Sequence, residues 1–278
     1  MASLYLSNMS KIGIILDSIL DKQKIENIFK DASDVSLSFI ETEVIKTDLN
    51  ISDMGIQKLA NPKDYIDKIK AFHDSGIYNI LIITSSKKMT RSYENALLAK
   101  DILKDIKVDI VDAHTFGPGI YYLSMCIKIW ISKSYSYQKI KELLKVQVDK
   151  GMTIVVTSNP RYKETRSWFQ NLLSPWVVGY LVVSSNNYEV KRVMYKQKNI
   201  VDILYHQILG FKGFKDKINI FVYSGKFGAK AKLLQHELYT KNKDLNITLY
   251  GEVSSQVTTY FGDDMYGVYL GYYEEMDL

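Results

Sequence analysis

The part of the sequence that most constrains the fold is residues 77–106, where a strand pattern is followed by a polar loop and a helix pattern. Residues 77–83 are apolar and rich in β-branched side chains, and the run is short enough to be a buried strand. The loop 84–88 carries hydroxyl groups and lysines, and Thr90 or Ser92 is placed to cap the following helix. Such a loop directs hydroxyl groups and free backbone N–H groups to one point, which suits an anion such as a phosphate or a carboxylate. Many α/β proteins build the same loop for packing or capping alone, so both interpretations stay open.

Strand and helix patterns alternate through the first half of the chain. Strands are predicted at 11–18, 77–83 and 107–113, and helices at 21–29, 62–72 and 120–131 and after the loop 84–88. This alternation predicts a parallel sheet with helices on both faces. Because ligands of such sheets bind beyond the carboxyl ends of the strands, the strand-end residues are expected to converge on one crevice. These residues are Asp17, Ser18, Ser85, Ser86 and 112–115.

The second half combines strand pairs with helices. Strands are predicted at 152–158, 177–185, 188–195, 218–224, 246–255 and 265–273, and helices at 137–148, 200–209 and 226–241. The second and third of these strands form a hairpin about Asn186 and Asn187, and the last two are expected to pair with each other. This composition is typical of an α+β domain. We therefore expect two domains, an α/β domain over 1–150 and an α+β domain over 151–278.

Composition and charge narrow the class of function. The formal net charge is +5, with 36 Lys and Arg against 31 Asp and Glu, and lysine supplies most of the positive charge. Because arginine is the preferred side chain for phosphates and base edges, we expect no nucleic-acid partner. No apolar run is long enough to cross a bilayer, and the opening residues lack the pattern of a signal peptide, so we expect a cytoplasmic protein without stable membrane insertion.

Cysteine and histidine give no sign of metal or nucleophilic chemistry. The single cysteine, Cys126, excludes an internal disulfide and fits a reducing compartment. The four histidines show no metal-ligand spacing, so no metal is expected. Neither Cys126 nor Ser124 has a base nearby in the sequence, and no catalytic residue is predicted.

Four segments carry a resemblance that runs across nearly the whole chain. KIGIILDS (Lys11–Ser18) matches an opening strand with an Asp-Ser end, and SKKMTRSYENA (Ser86–Ala96) matches a loop written SSKLSGTYQSA. VDAHTFGPGIYYL (Val111–Leu123) matches IDSKSASMGLGLL, and GEVSSQVTTYFGDDMYGVYLGY (Gly251–Tyr272) matches the closing stretch GPVIGTHTGPGALGLAF. In this order and at these distances, the segments resemble those of the DegV family, the fatty-acid-binding proteins of the bacterial fatty acid kinase system.

The resemblance implies a lipid carrier rather than an enzyme. Family members hold one long-chain fatty acid in a tunnel between two domains, with the carboxylate near the loops of the first domain, and present it to a separate kinase that makes acyl phosphate. For this chain the resemblance implies headgroup loops within 1–150 and a tunnel closed by 151–278. It also implies a long-chain fatty acid as the ligand, no cofactor, and a fatty acid kinase catalytic subunit as the partner. We expect the protein to be a monomer.

The hydroxyl positions of the family map onto this chain with some losses. Ser86, Thr90 and Ser92 keep a hydroxyl group, whereas Lys87 replaces a serine. The family's threonine before the second helix, a carboxylate contact, falls on Gln57. Three hydroxyl groups suffice to hold a carboxylate, so the resemblance still implies a headgroup site in this loop.

The cationic positions of the family are replaced. Its histidine before Gly-Pro-Gly falls on Tyr260. Its arginine after the hairpin falls at about Tyr195, although Arg192 is close enough that a small shift of the alignment would restore it. Tyrosine donates a hydrogen bond but carries no positive charge, so transfer to the kinase is the step that these replacements put in question. Together with the strand-end residues, the predicted ligand-binding set is Ser85, Ser86, Thr90, Ser92, Gln57, His114, Thr115, Tyr195 and Tyr260.

Two other functions stay open. Related α/β folds serve dihydroxyacetone kinases and sugar phosphotransferase components, in which a histidine carries substrate or phosphate. His114 is the candidate for that role in this chain, and a phosphocarrier or kinase-like enzyme is the first alternative. The second alternative is a diverged lipid sensor that binds the acyl chain without serving the kinase.

Overall fold

The structure is a computed structural model that describes residues 11–17, 21–41, 43–45, 56–58, 61–158, 180–184, 188–191, 200–211 and 218–272. Predictions that fall elsewhere lie outside the described residues. These include the predictions for Ser18 and Tyr195 and for the segment 159–179.

The first part of the chain forms a four-stranded parallel sheet, called the first sheet below. The elements run in the order β1 (Ile12–Asp17), α1 (Lys22–Phe29), β2 (Val35–Ile40), β3 (Glu43–Ile45), β4 (Ile56–Lys58), α2 (Pro62–Asp74), β5 (Asn79–Thr84), α3 (Ser92–Ile102), β6 (Val108–Asp112) and α4 (Gly117–Ser132). The strand order is β2-β1-β5-β6, and each neighbouring pair is parallel. β3 and β4 form a separate antiparallel pair. The carboxyl ends of β1, β5 and β6 therefore lie at one edge of the first sheet.

Helices pack on both faces of the first sheet, against side chains that alternate along each strand. Ile14 and Leu16 of β1 pack in the core that includes α1 and α4, whereas Ile15 packs in a second cluster with α2 and α3. Strand side chains point to opposite faces at successive positions, which explains why one apolar run serves two helix layers. Asp17 follows Ile15 with this period of two, so it lies on the face of α2 and α3.

α2 begins at a capping box that follows directly from the sequence. The Asn61 side chain accepts a hydrogen bond from the backbone N–H of Asp64, and the Asp64 carboxylate accepts one from the backbone N–H of Asn61. Pro62 occupies the first helical position, where its fixed φ suits the helix and its missing N–H is not needed. These contacts fix where the first turn of α2 lies at the carboxyl edge of the first sheet.

The second part of the chain forms a mixed six-stranded sheet, called the second sheet below. Its elements are α5 (Tyr137–Lys150), β7 (Met152–Thr157), β8 (Tyr180–Ser184), β9 (Tyr188–Lys191), α6 (Ile200–Leu209), β10 (Ile218–Ser224), α7 (Gly228–Lys241), β11 (Asn246–Glu252), α8 (Ser255–Phe261) and β12 (Tyr266–Tyr272). The strand order is β11-β10-β12-β7-β8-β9. β10 and β11 are parallel, and the other neighbouring pairs are antiparallel, including the predicted hairpin of β8 and β9.

α4 lies between the two sheets. It contacts α1 on one side and β10 and β12 on the other, and most of its residues are buried. This close packing depends on Gly271 of β12, because a Cβ atom there would lie 2.5 Å from the ring of Tyr122 on α4. One continuous apolar core runs from β1 and β5 through α4 to β10 and β12. The division of the chain near residue 150 stays a prediction.

The predicted fold class is confirmed, with a parallel α/β part and a second part that combines strands and helices. One predicted pairing is wrong, because β11 and β12 do not pair with each other and β10 lies between them. After β10 the chain passes through α7, and β11 then lies parallel to β10 at the edge of the second sheet. The sequence patterns did not predict α8. Among the described helices, none has both the length and the apolar character needed to span a bilayer.

Candidate ligand-binding site

The loop after β5 is held in place by a buried carboxylate at the end of β1. Asp17 is fully buried, and its two carboxylate oxygens accept hydrogen bonds from the backbone N–H of Ser85 at 2.7 Å and from the Ser85 hydroxyl at 2.6 Å. Hydrogen bonds to an ionised group in a buried position are among the strong ones in proteins. This contact fixes the start of the loop. Ser85 stays a predicted ligand contact, but its hydroxyl is bonded to Asp17 in this structure.

Ser86 is the next residue of this loop and is also fully buried. Its backbone N–H donates to the carbonyl of Thr115 at 2.9 Å, and its carbonyl accepts from the N–H groups of Met89 and Thr90 at 2.8 and 3.1 Å. The Ser86 hydroxyl accepts a bond from the N–H of Lys88 at 3.3 Å. A hydroxyl group that accepts still has its own hydrogen to donate. Ser86 is thus a buried donor held by backbone contacts on both sides.

Two further hydroxyl groups lie at the start of α3. The Thr90 hydroxyl accepts a hydrogen bond from the backbone N–H of Ser92 at 3.3 Å, and both residues are buried. The predicted cap by Thr90 or Ser92 takes a different form, because Arg91 is the N-cap residue and its side chain makes no capping bond. Without a side-chain cap, the first turn of α3 presents N–H groups and the positive end of its dipole to this edge. Ser86, Thr90 and Ser92 therefore follow one another at the start of α3, and their role in ligand binding stays a prediction.

Tyr65 is a buried residue beside this loop that the sequence-based set did not include. It lies in the first turn of α2 and is fully buried. Burial raises the pKa of Tyr65 above its usual value, the charge on Asp17 raises it further, and the Ser92 hydroxyl lowers it. The sequence pattern does not distinguish Tyr65 from an ordinary core residue, because a tyrosine ring also fits an apolar helix face. Only the proximity of Asp17 and Ser92 in the folded chain distinguishes it.

The loop after β6 brings His114 and Thr115 to the same edge. His114 adopts a left-handed backbone conformation with φ of 52°. Its backbone N–H donates to one Asp112 oxygen at 3.0 Å, and its Nδ1 atom lies 3.4 Å from the other oxygen. The first of these oxygens also accepts from the backbone N–H of Lys87 at 3.3 Å, which joins this loop to the loop after β5. Asp112 thus holds the backbone of His114 in place, and its second oxygen lies near the His114 ring.

Thr115 connects the first sheet to the second. Its hydroxyl lies 2.7 Å from the hydroxyl of Thr153 on β7, and both side chains are buried. Because the Thr115 carbonyl also accepts from Ser86, a short path of hydrogen bonds leads from the β5 loop to the second sheet. The Thr115 hydroxyl is therefore a contact between the two parts of the chain, and its role in ligand binding stays a prediction.

Gln57 and Tyr260 lie on neighbouring elements. Gln57 is on β4, where it pairs with Val44 of β3, and α8, which carries Tyr260, packs against β3. Tyr260 is half-buried against the main core. The structure thus brings these two elements together. Tyr195 lies outside the described residues.

Around α4 the space between the sheets is filled by aromatic side chains. The rings are in edge or tilted contact, with centroids between 5.5 and 5.9 Å apart, and belong to Phe116, Tyr121, Tyr122, Phe221, Tyr223, Tyr250, Phe261 and Tyr269. The Tyr122 hydroxyl bonds to the Gln147 side chain at 3.1 Å and to the carbonyl of Tyr272. Cys126 is buried in the same region, and burial raises the pKa of its thiol to about 12. This region is a packed core. Among the described residues, no group of three or more His, Cys, Asp or Glu side chains is arranged to hold a metal ion.

Comparison with known protein families gives a match over most of the chain. A family model described as "Uncharacterised protein, DegV family" matches residues 56–272. No curated protein sequence matches the chain.

Solved structures with the same fold share little sequence with this chain. A DegV family protein from Corynebacterium glutamicum has a TM-score of 0.77 at 14% identity, covering 97% of this chain and 100% of its own. A fatty acid binding DegV family protein from Streptococcus agalactiae has a TM-score of 0.78 at 11% identity, covering 95% of this chain and 99% of its own. The Fatty Acid Kinase (Fak) B3 protein from Streptococcus pneumoniae, loaded with linoleic acid, has a TM-score of 0.71 at 17% identity, covering 95% of this chain and 100% of its own.

Proposed function

The chain belongs to the DegV family, and from this premise we propose that it binds one long-chain fatty acid and acts as a carrier rather than an enzyme. The S. agalactiae relative is described as fatty acid binding, and the S. pneumoniae relative is loaded with linoleic acid. The carboxylate of the fatty acid would lie at the carboxyl edge of the first sheet. Family membership supports the ligand class, and the buried hydroxyl groups at this edge support the position of the carboxylate.

One observation carries the position of the carboxylate. Three buried residues with hydroxyl groups, Ser86, Thr90 and Ser92, lie in the loop before α3 and at its first residue, and the N-cap residue Arg91 makes no capping bond. Hydroxyl donors and the positive end of a helix dipole both stabilise a negative charge. Each hydrogen bond to a charged carboxylate contributes about 1.5–3 kcal/mol. A carboxylate at this point would therefore be oriented by two or three donors without a cationic side chain.

The acyl tail supplies the larger share of the affinity. Burying one methylene group contributes about 0.8 kcal/mol, so a tail of about 15 methylenes contributes on the order of 10 kcal/mol before the costs of association. The aromatic core around α4 is packed, so we expect the tail to run outside it. Gln57 and Tyr260, on the neighbouring elements β4 and α8, are the proposed contacts on that side. The tail would thus run beside this core, past β4 and α8, closed by residues of 151–278.

Transfer to a fatty acid kinase catalytic subunit is the second part of the proposal. The Streptococcus pneumoniae relative is named for the fatty acid kinase system, which supports such a partner. The bound carboxylate would be presented for phosphorylation to acyl phosphate, and the carrier itself would need no cofactor. We further propose that the protein acts in the cytoplasm as a monomer.

Native mass spectrometry of the protein purified from cells tests the ligand. The expected result is a mass increase of one long-chain fatty acid, and titration with oleate should restore the same complex after delipidation. Ser86→Ala combined with Thr90→Val should weaken oleate binding by about tenfold or more, because each lost bond to the carboxylate is worth that much. Ser132→Ala is the matched control, since among the described residues the Ser132 hydroxyl bonds only to its own helix, at the carbonyl of Ile129. A protein that carries no acyl chain and binds neither oleate nor palmitate contradicts the proposal.

A phosphate-carrying role for His114 is the second candidate. One observation favours it, the position of the His114 Nδ1 atom 3.4 Å from an oxygen of the buried Asp112 carboxylate. A carboxylate on one ring nitrogen of a histidine is the usual arrangement for proton or phosphate transfer at the other. Loss of phosphate labelling in a His114→Ala variant, with oleate binding unchanged, would favour this candidate over the carrier.

A lipid sensor is the remaining alternative. It differs from the carrier only in the step after binding. Mixing the oleate-loaded protein with the kinase subunit and ATP separates the two, since acyl phosphate forms only from a carrier. Tyr260 is the residue on which this difference is expected to depend, because a tyrosine cannot supply the positive charge of a histidine.

A further inference from the structure

Tyr65 holds a buried hydroxyl group whose hydrogen is not donated to any group within the described part of the chain. The residue is fully buried, and no hydrogen bond of normal geometry satisfies its hydroxyl there. Buried polar groups in folded proteins almost always have a partner, because an unpaired one destabilises the fold. A tyrosine hydroxyl without a protein partner at the edge of a binding site therefore points to a group that arrives with the ligand.

The surroundings of Tyr65 favour an acceptor at this place. Tyr65 lies in the first turn of α2, and Ser92 is the first residue of α3. Because α2 and α3 pack against each other, the Tyr65 ring lies where the two helices begin. The positive ends of both helix dipoles are directed to this point. Burial raises the pKa of Tyr65, the charge on Asp17 raises it further, and the nearby Ser92 hydroxyl lowers it. The phenol therefore stays protonated, with a hydrogen to donate.

The charge on Asp17 is the feature that opposes a second carboxylate here. Both oxygens of Asp17 accept bonds from Ser85, at 2.7 and 2.6 Å, so part of its charge is already offset by donors. The Tyr65 hydroxyl is separate from that contact, since no bond joins it to Asp17 among the described residues. A ligand oxygen beside Thr90 and Ser92 would have the hydroxyl hydrogens of these two residues as further donors.

We propose that Tyr65 is a further ligand-binding residue, and that its hydroxyl donates a hydrogen bond to a carboxylate oxygen of the bound fatty acid beside Thr90 and Ser92. This inference rests on the proposed function and adds one donor to the headgroup site. It explains how a site without a histidine or arginine at the positions of Tyr260 and Tyr195 still selects an anionic headgroup. The donor comes from α2, an element to which the sequence-based site assigned no residue.

The test compares two tyrosine-to-phenylalanine variants of the full chain. Tyr65→Phe removes only the hydroxyl of interest. Tyr122→Phe is the matched control, because the Tyr122 hydroxyl is equally buried but is bonded to Gln147 and to the carbonyl of Tyr272. Each variant and the natural protein are delipidated and titrated with oleate, and the thermal midpoint of each ligand-free protein is measured. Tyr65→Phe should weaken oleate binding by about tenfold and leave the thermal midpoint unchanged or higher. Tyr122→Phe should lower the midpoint and leave the affinity unchanged.

Three results would overturn the inference, and they are distinguishable. Equal oleate affinities of Tyr65→Phe and the natural protein would show that the hydroxyl does not reach the ligand. A Tyr65→Phe protein that melts as low as Tyr122→Phe, or fails to fold, would show that the hydroxyl is already paired in the empty protein. Failure of the natural protein to bind oleate would defeat the proposed function as well, and it is recorded before any variant is compared.

Discussion

The contact between Asp17 and Ser85 should be the main energetic support of the loop after β5. Three variants measure it: Ser85→Ala, Asp17→Ala and the combination of the two. Ser85→Ala removes the hydroxyl bond to the buried carboxylate, whose length is 2.6 Å. Asp17→Ala removes this bond and also the bond from the Ser85 backbone N–H, which is 2.7 Å long in the natural protein. Both donors of Ser85 then lose their acceptor.

The expected magnitudes follow from the burial of both residues, which are 0% exposed. A hydrogen bond to a charged group is worth about 1.5–3 kcal/mol, so Ser85→Ala should lower the free energy of unfolding by that amount. Asp17→Ala should lower it by about 3–5 kcal/mol, because two donors lose their partner. The two single effects should not add. Both single variants remove the bond between the Ser85 hydroxyl and the carboxylate. The coupling energy between them should therefore equal the free energy of that bond, about 1.5–3 kcal/mol.

Urea denaturation at pH 7 measures these free energies, with the slope of each transition compared among the variants. Ser132→Ala should change the free energy of unfolding by less than about 0.5 kcal/mol, since its hydroxyl is exposed and bonds within α4. A coupling below about 0.5 kcal/mol would refute the reasoning, because the two side chains would then act independently despite the short distance.

Two further predictions concern the core. Gly267→Ala should lower the free energy of unfolding by about 3 kcal/mol or more, because its Cβ atom would lie 2.0 Å from the carbonyl oxygen of Ile154 on the neighbouring strand. Gly210→Ala is the control, since the nearest described atom to its Cβ would be the His206 carbonyl oxygen at 3.3 Å. Equal urea midpoints for the two variants would contradict the prediction. Burial raises the pKa of the Cys126 thiol from 9.0 to about 12, so the unfolded chain loses this proton at a lower pH than the folded protein does. The contribution of this thiol to the free energy of unfolding should therefore be constant below pH 9 and fall by about 1.4 kcal/mol per pH unit from there towards pH 12. Urea midpoints measured from pH 8 to 11 should show this fall in the natural protein, and Cys126→Ala should lack it. Identical slopes would show that the thiol does not contribute.

Local patterns were sufficient for much of the first sheet. The apolar run before Thr84 had to be a buried strand, and the spacing of small and apolar residues after Ser92 had to be a helix. Asn61 and Pro62 marked the start of α2, which begins at Pro62. These features depend on residues a few positions apart, so they are legible in the sequence. The DegV family was predicted on four such segments and is confirmed.

The candidate site was predictable only in outline. The sequence placed Ser86, Thr90 and His114 at strand ends, and parallel strands bring those ends to one edge. It did not show that Ser85 is bonded to Asp17, 68 positions earlier in the chain. Nor did it show that Tyr65 faces the start of α3.

The sequence by itself determined which segments are strands and helices, and the order in which hydroxyl-bearing loops follow them. Only the tertiary structure decided that β10 lies between β11 and β12, that α4 is enclosed between two sheets, and which hydroxyl groups are bonded internally. The physical reason is that periodicity reports which face of an element is buried, but not against what. Strand partners and buried polar contacts are chosen among residues far apart in the chain, by the packing and hydrogen bonding of the whole molecule.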